Sequence, residues 1–153
     1  MAADRVYQLL RHKFFDNVLF YRVAPNFVVQ FGNTDTILTN QWEKFKVPDE
    51  SVIKSNVRGA VSFARSGPDT RGSHLFINTK DNKRLDTINY NKVVGFPVLG
   101  TVTRGMDVVE SMYAGYGNKT MEVYDSLSAD RARYRAMFPK LDSIRKAYIL
   151  KRN

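Results

Sequence analysis

Two apolar stretches of the sequence each contain polar side chains that could do chemistry. The first, FYRVAPNFVVQFG, spans residues 20–32, and in it Arg22 lies in a mostly apolar run that Phe27 and Gln30 follow. Burying a guanidinium group among aliphatic side chains costs several kcal/mol unless something accepts its hydrogen bonds. Arg22 therefore needs either an internal partner or a bound ligand.

The second stretch, FARSGPDTRGSHLFI, spans residues 63–77 and joins two strand-like apolar runs by a turn rich in Gly, Pro, Asp and Ser. Apolar runs bounded by such turn residues predict β-strands. In chain order, the predicted strands are residues 19–23, 27–32, 60–64, 75–78 and 98–102. Helices are predicted at residues 3–14 and 105–113 from helical spacing of apolar residues. Many short strands with few helices favour an antiparallel barrel.

The last 25 residues differ from the rest in charge. Residues 129–153 contain eight Lys or Arg and two Asp, so they carry about six of the nine net positive charges. Residues 129–137 have helical composition, and residues 143–150 suit a final strand. We expect one domain spanning residues 1–153, in which residues 129–153 form a basic helix and a closing strand.

Composition limits the kinds of site that the chain can build. Its 153 residues, 43% of them hydrophobic, suit a single globular domain. It has no cysteine, which excludes disulfides, zinc–thiolate sites and a cysteine nucleophile. His12 and His74 are too few for a histidine metal cage, so no metal is expected.

The sequence also bears on location. It contains neither an apolar run of membrane-spanning length nor a signal-peptide pattern at the N-terminus. We expect no membrane association and a cytoplasmic protein, provided that Met1 is the true start. A periplasmic or secreted location would follow if an N-terminal signal is missing from this sequence.

The two stretches together resemble the cyclophilin-type peptidyl-prolyl cis-trans isomerases, in the family's order and at plausible spacing. The matching residues of the first motif are Phe20, Tyr21, Arg22, Val23, Pro25, Phe27, Val28, Gln30 and Gly32. Those of the second are Ala64, Gly67, Pro68, Thr70, Gly72, Ser73, His74, Leu75, Phe76 and Ile77. The resemblance covers about residues 3–113.

The resemblance implies a mainly β fold, a cyclophilin-like antiparallel β-barrel with flanking α-helices. Cyclophilin domains normally begin with two strands before the first helix, and this sequence has neither. Either those strands are missing from this sequence or a different segment closes the barrel. The segment between Asp86 and Pro97 is about four residues longer than is usual in the family.

The implied activity is rotation about X-Pro peptide bonds, which assists protein folding. Amide resonance opposes this rotation with a barrier of roughly 18–20 kcal/mol. No covalent step is needed: a catalyst holds the proline ring, excludes water and stabilises the twisted amide with hydrogen-bond donors. We therefore expect no cofactor, proline-containing peptides and unfolded protein chains as partners, and a monomer.

The resemblance assigns roles to individual residues. Arg22 is the donor, Gln30 orients it and the substrate, and Phe27 completes the catalytic set. The implied substrate-binding residues are Val28, Ala64, Arg65, His74, Phe76 and Leu85. His74 replaces the family's usual glutamine, and two further departures lie nearby: Arg84 where members usually carry Trp or Phe, and Phe96 where many have His.

Other interpretations of the same residues stay open. Arg22 could be a strand-edge arginine paired with a carboxylate, and Phe27, Phe76 and Leu85 could simply be core. Adjacent Ser and His at positions 73–74 could suggest a hydrolase, but no Gly-x-Ser-x-Gly motif accompanies them.

A second function class is a non-catalytic binding module. The groove could hold proline segments without turnover, or the basic C-terminal region could hold nucleic acid. In the second case Tyr134, Phe138 and Tyr148 would stack on bases, and binding would weaken steeply with salt.

Overall fold

The computed structural model describes residues 1–150, and these form a mainly β fold with flanking helices. The strands are β1 (Arg22–Ala24), β2 (Val28–Phe31), β3 (Ala60–Phe63), β4 (Leu75–Asn78), β5 (Asn89–Tyr90), β6 (Val93–Val94) and β7 (Val98–Thr101). The helices are α1 (Ala2–Arg11), α2 (Thr36–Glu43), α3 (Met106–Glu110), α4 (Lys119–Glu122), α5 (Asp125–Ala129) and α6 (Arg131–Met137), with a 3-10 turn at Lys83–Asp86. None of the helices in residues 1–150 is long and apolar enough to cross a membrane.

Five strands form one antiparallel sheet in the order β1-β2-β4-β3-β7. Its register pairs Arg22 with Gln30, Gln30 with Phe76, and Phe76 with Ser62. Paired residues project from the same face of a sheet, and their sequence neighbours project from the other. One face therefore presents a row of Arg22, Gln30 and Phe76.

The opposite face of the sheet carries the main core. Helix α1 lies against this core and buries Leu9 completely, and the turn after it adds Phe14 and Phe15. The buried members of this cluster on the sheet are Val23, Val29, Phe31, Phe63, Leu75 and Ile77. Burying one large apolar side chain contributes about 1.5–3 kcal/mol, so this face stabilises the sheet that positions the row on the other side.

A second cluster attaches the C-terminal helices. Tyr134 of α6 and Leu127 of α5 are buried against Leu19 and Tyr21, and the Tyr134 hydroxyl donates to the carbonyl of Thr120 at 3.0 Å. The helix predicted at residues 129–137 corresponds to α6. Its aromatic side chain at position 134 serves packing, because it is 0% exposed.

The strand predicted at residues 143–150 is not found in residues 1–150. Ser143 makes one isolated bridge to Leu19, with backbone hydrogen bonds of 2.9 and 2.8 Å on either side of it. The bridge does not continue into a ladder, and farther along the N–H of Ala147 donates to the carboxylate of Asp16 at 2.9 Å. This segment therefore lies beside the chain that leads into β1 without forming a strand there. Residues 151–153, the end of the basic region 129–153, lie outside the described residues.

Two regions for which no helix or strand was predicted contain regular elements. Helix α2 lies within residues 33–55, where Asp35 caps it by accepting from the N–H of Leu38 at 2.9 Å. The long segment between Asp86 and Pro97 forms the β5–β6 hairpin. Asn91 and Lys92, the two residues of its turn, both have positive φ, as tight hairpin turns of this type require.

Candidate active site

A groove of about 450 Å³ lies on the face of the sheet that carries Arg22, Gln30 and Phe76. Its walls are mostly apolar and aromatic, with three arginines among them. The lining residues are Arg22, Phe27, Val28, Gln30, Ala64, Arg65, Phe76, Arg84, Leu85, Ile88, Tyr90, Phe96 and Met121. Eight of the nine site residues predicted from sequence are in this list, and His74 is the exception.

The floor of the groove is a small apolar cluster of its own. Val28, Phe76 and Leu85 are buried there, and Phe27 and Phe96 pack against them partly exposed. The Phe76 and Phe96 rings meet edge to face with centroids 5.8 Å apart. These side chains belong both to a buried cluster and to the groove lining: they pack against one another, and the cluster as a whole faces the open groove.

Arg22 lies at the edge of this apolar floor. Its Nη1 donates to Oε1 of Gln30 at 3.3 Å, a contact that follows from their pairing across β1 and β2. Its Nε is buried and has no hydrogen-bond partner within residues 1–150. No carboxylate of the described residues forms an ion pair with it, so the strand-edge ion pair considered from the sequence is not found there. Arg22 therefore keeps donors for a ligand.

An asparagine side chain fixes the backbone of Phe27. Asn82 donates through Nδ2 to the carbonyl of Phe27 and to Oδ1 of Asn78, each at 2.8 Å. Two arginines contact the Phe27 ring: the guanidinium carbons of Arg22 and Arg84 lie 5.7 and 5.1 Å from its centre. Both distances are within the range of cation–π attraction.

Arg65 lies in the groove wall, and its side chain makes internal contacts there. The guanidinium group donates to the backbone carbonyls of Tyr90, Val93 and Gly95, at 2.9, 3.1 and 2.5 Å, and its carbon lies 4.2 Å from the centre of the Phe96 ring. Burial lowers the pKa of Arg65 from its ordinary value. Arg65 thus attaches the β5–β6 hairpin to the groove.

A buried polar network supports the 3-10 turn that carries Arg84 and Leu85. The carboxylate of Asp86 accepts from the hydroxyl of Ser55 and from the backbone and side-chain N–H groups of Asn56, both of the latter at 2.8 Å. Burial alone would raise the pKa of Asp86, but these hydrogen bonds outweigh it and hold that pKa below its ordinary value. The network fixes the turn, and with it the Leu85 side chain in the floor.

His74 does not line the groove, in contrast to the prediction. Its ring contacts the hydroxyls of Tyr21 and Tyr124, with Nδ1 at 3.0 and 3.2 Å from the two oxygens. Burial, and to a smaller extent Lys46, lowers the pKa of His74 to about 4. The His74 ring thus packs against the two tyrosines, two residues before Phe76 in the chain.

Ser73, which precedes His74, does not form the serine–histidine pair of a hydrolase. The hydroxyl of Ser73 is buried and donates to the carbonyl of Gly32 at 2.8 Å. A catalytic serine would instead share its hydroxyl proton with a histidine base.

Three lining residues were missed altogether by reasoning from sequence: Ile88, Tyr90 and Met121. Tyr90 comes from the hairpin in the longer segment, where no strand was predicted. Met121 lies on α4, beyond the end of the region that the resemblance covers. The unusual length of the segment between Asp86 and Pro97 was the one sequence signal that could have pointed to two of them, Ile88 and Tyr90.

Sheet and site together define a β protein with an open groove that aromatic side chains line and arginines border. The family model described as cyclophilin type peptidyl-prolyl cis-trans isomerase/CLD matches residues 1–128. The chain belongs to this family, as its two motifs predicted.

Curated relatives agree with this assignment. The chain is 32% identical over 114 residues to a peptidyl-prolyl cis-trans isomerase of Acinetobacter baylyi, covering 73% of this chain and 60% of that protein. It is 34% identical over 116 residues to peptidyl-prolyl cis-trans isomerase-like 3 of Dictyostelium discoideum, covering 73% and 68%. The chain thus spans roughly two thirds of the length of these relatives.

The fold has solved counterparts as well. A cyclophilin type peptidyl-prolyl cis-trans isomerase of Cryptosporidium parvum, crystallised in the presence of the dipeptide Ala-Pro, superposes with a TM-score of 0.57 at 21% identity, covering 73% of this chain and 72% of that one. This likeness shows that the matched part of the chain adopts the cyclophilin fold.

Proposed function

We propose that this chain is a peptidyl-prolyl cis-trans isomerase that acts on exposed X-Pro bonds in peptides and unfolded protein chains. One observation carries the proposal: Arg22, with a buried Nε that has no partner in residues 1–150, borders an apolar floor formed by Val28, Phe76 and Leu85. An apolar floor suits a proline ring, and a guanidinium group without a carboxylate partner in residues 1–150 suits the amide beside it.

The geometry supports a mechanism without a covalent step. The proline ring would rest on Phe76 and Leu85, with Phe27 at its side. As the amide twists, its nitrogen regains a lone pair, and Arg22 donates to that nitrogen or to a nearby carbonyl. Gln30 accepts from Arg22 and so orients the guanidinium group. The donor stabilises the twisted state more than either planar isomer, which is what accelerates rotation.

The relatives support the same substrate class. The Cryptosporidium parvum protein was crystallised with a proline dipeptide, and the Acinetobacter and Dictyostelium relatives are named as peptidyl-prolyl isomerases or isomerase-like.

Nuclear magnetic resonance exchange between the cis and trans forms of a short X-Pro peptide tests the proposal. The protein at substoichiometric concentration should produce exchange cross-peaks, and Arg22→Ala should slow catalysis about 10- to 100-fold, since hydrogen bonds to charged groups contribute about 1.5–3 kcal/mol. Arg22→Lys should recover only part of the rate, because lysine lacks the planar fork. Arg104→Ala, which removes an exposed arginine outside the groove, is the matched control.

Circular dichroism of each variant separates loss of folding from loss of catalysis. A folded Arg22→Ala protein with full activity would refute the assignment of Arg22. A folded wild-type protein that binds the peptide without accelerating exchange would favour the non-catalytic binding module. The nucleic-acid version of that module loses part of its basis, because Tyr134 and Phe138 are buried and cannot stack on bases.

A further inference from the structure

Three guanidinium groups line a single groove, and no acidic side chain lies among the lining residues. The three are Arg22, Arg65 and Arg84. Within residues 1–150, none of them forms an ion pair with a carboxylate. Elsewhere in the same part of the chain arginines do find such partners: Arg58 pairs with Glu110 and Arg71 with Glu50. The groove therefore carries positive charge that the described residues leave uncompensated.

The three arginines are not equally free to bind a ligand. Arg65 is 8% exposed, and its two Nη atoms are used by backbone carbonyls of the hairpin. Arg22 is half-buried and bonded to Gln30. The Arg84 side chain is exposed and donates no hydrogen bond within residues 1–150, and its guanidinium group lies over the face of Phe27. Arg84 is thus the arginine with all its donors available.

Arg84 also lies where it can reach a residue next to the substrate proline. Its guanidinium carbon is 5.1 Å from the centre of the Phe27 ring, and that ring borders the floor on which the proline would rest. Neighbouring Cα atoms of a peptide are 3.8 Å apart. A carboxylate on the residue directly before or after proline can therefore meet Arg84 while the proline ring occupies the floor.

We propose that the groove selects proline peptides that carry a carboxylate side chain on a residue adjacent to proline, and that Arg84 is the residue that recognises it. The inference rests on the proposed function, since it places proline on the floor of the groove. Arg22 and Arg65 add to the attraction, because their charges act on the same enclosed space at reduced screening. A lysine beside proline would be repelled by all three.

Binding of matched peptides tests this selectivity. The probes are capped Ala-Ala-Glu-Pro-Ala-Ala and Ala-Ala-Ala-Pro-Glu-Ala, each with its Gln and Lys counterpart, and dissociation constants come from chemical-shift titration at low salt. We expect at least one Glu peptide to bind about tenfold tighter than its Gln counterpart, which corresponds to about 1.4 kcal/mol. The Lys peptides should bind more weakly than the Gln peptides. Raising the salt concentration to about 0.5 M should reduce the preference severalfold.

Variants assign the preference to a position. Arg84→Met keeps an apolar stem against Phe27 and should reduce the Glu-to-Gln ratio to about one- to twofold, whereas Arg84→Lys should retain much of it. Lys83→Met is the matched control: it removes one positive charge from the same turn at a residue outside the groove lining, so the ratio should persist.

The result also separates this inference from the proposed function. Equal binding of Glu and Gln peptides in both series by the wild-type protein, or an unchanged ratio in Arg84→Met, would overturn the inference even if catalysed exchange is observed. A Glu preference that depends on Arg84, in a protein that accelerates no exchange, would remove the isomerase assignment and leave the recognition of acidic proline peptides standing.

Discussion

Replacement of His74 by glutamine should make the protein more resistant to mild acid. In the folded state burial lowers the pKa of His74 to about 4, whereas an unfolded histidine has a pKa of about 6.5. Between these two values the unfolded chain binds a proton that the folded chain does not. The free energy of unfolding therefore falls as the pH falls from about 6.5 toward 4, and this loss is absent above the unfolded pKa.

The size of the effect follows from the linkage relation. Between pH 7 and pH 5 the two pKa values give a loss of about 2 kcal/mol from His74 alone. For a chain of this length that corresponds to a fall in the melting temperature of roughly 4–8 °C. Carboxylates whose pKa is lowered in the folded state, such as Asp86, contribute mostly below this window.

Urea unfolding of the wild type and of His74→Gln at pH 7 and pH 5 measures the effect. Glutamine does not titrate, and its amide can still bond the hydroxyls of Tyr21 and Tyr124. The wild type should lose about 2 kcal/mol more than the variant between the two pH values. Equal losses in the two proteins would refute the reasoning, and His12→Gln serves as the control that removes the other histidine.

Two further substitutions test how the sheet and the polar network are held. Gly32→Ala should destabilise the protein by more than about 2 kcal/mol in thermal unfolding, because Gly32 has φ of 115° and a Cβ there would lie 2.2 Å from the carbonyl oxygen of Ser73. Gly100→Ala, which meets nothing within 4 Å, should cost much less, and equal costs would contradict this explanation. Asn56→Ala should cost about 2–4 kcal/mol in denaturant unfolding, because at a fully buried position it removes side-chain hydrogen bonds to Asp86, Phe96, Ser62 and Asn78. The exposed Asn118→Ala is its control, and a loss below about 1 kcal/mol at position 56 would show that water replaces the lost contacts.

The strands of the sheet were largely predictable because short-range pattern determines them. The strand predicted at residues 75–78 corresponds to β4 with the same bounds, since three apolar residues, Leu75 to Ile77, follow a segment rich in turn residues. Helix α2 was missed because it is short and has no wide apolar stripe: only Thr39 is buried in it. Its one local signal was Asp35, a residue type that favours helix N-caps.

The residues that the family resemblance marks were predictable, whereas the long-range contacts that other segments make at the candidate site were not. Arg22 and Gln30 come together because β1 and β2 pair, a contact between residues close in sequence. His74 is two residues from Phe76, so the alternation of a strand predicts that both side chains face the groove. Instead, the His74 ring contacts Tyr124, which lies 50 residues away in sequence. No local pattern encodes that contact. The buried roles of Asn56 and Asn82 likewise depend on long-range packing.

Two sequence features depart from the family pattern and both contact Arg65: the longer segment between Asp86 and Pro97, and Phe96 within it. The longer segment folds into the β5–β6 hairpin, and such a two-stranded hairpin is at best marginally stable by itself. Arg65 holds it through three backbone carbonyls and stacks on Phe96 at 4.2 Å, so one side chain supplies the anchoring that the hairpin lacks. Because Arg65 is committed to this structural role, it cannot also turn its donors toward a ligand. The proposed recognition of an acidic peptide therefore assigns the direct contact to Arg84, whose donors no described residue uses.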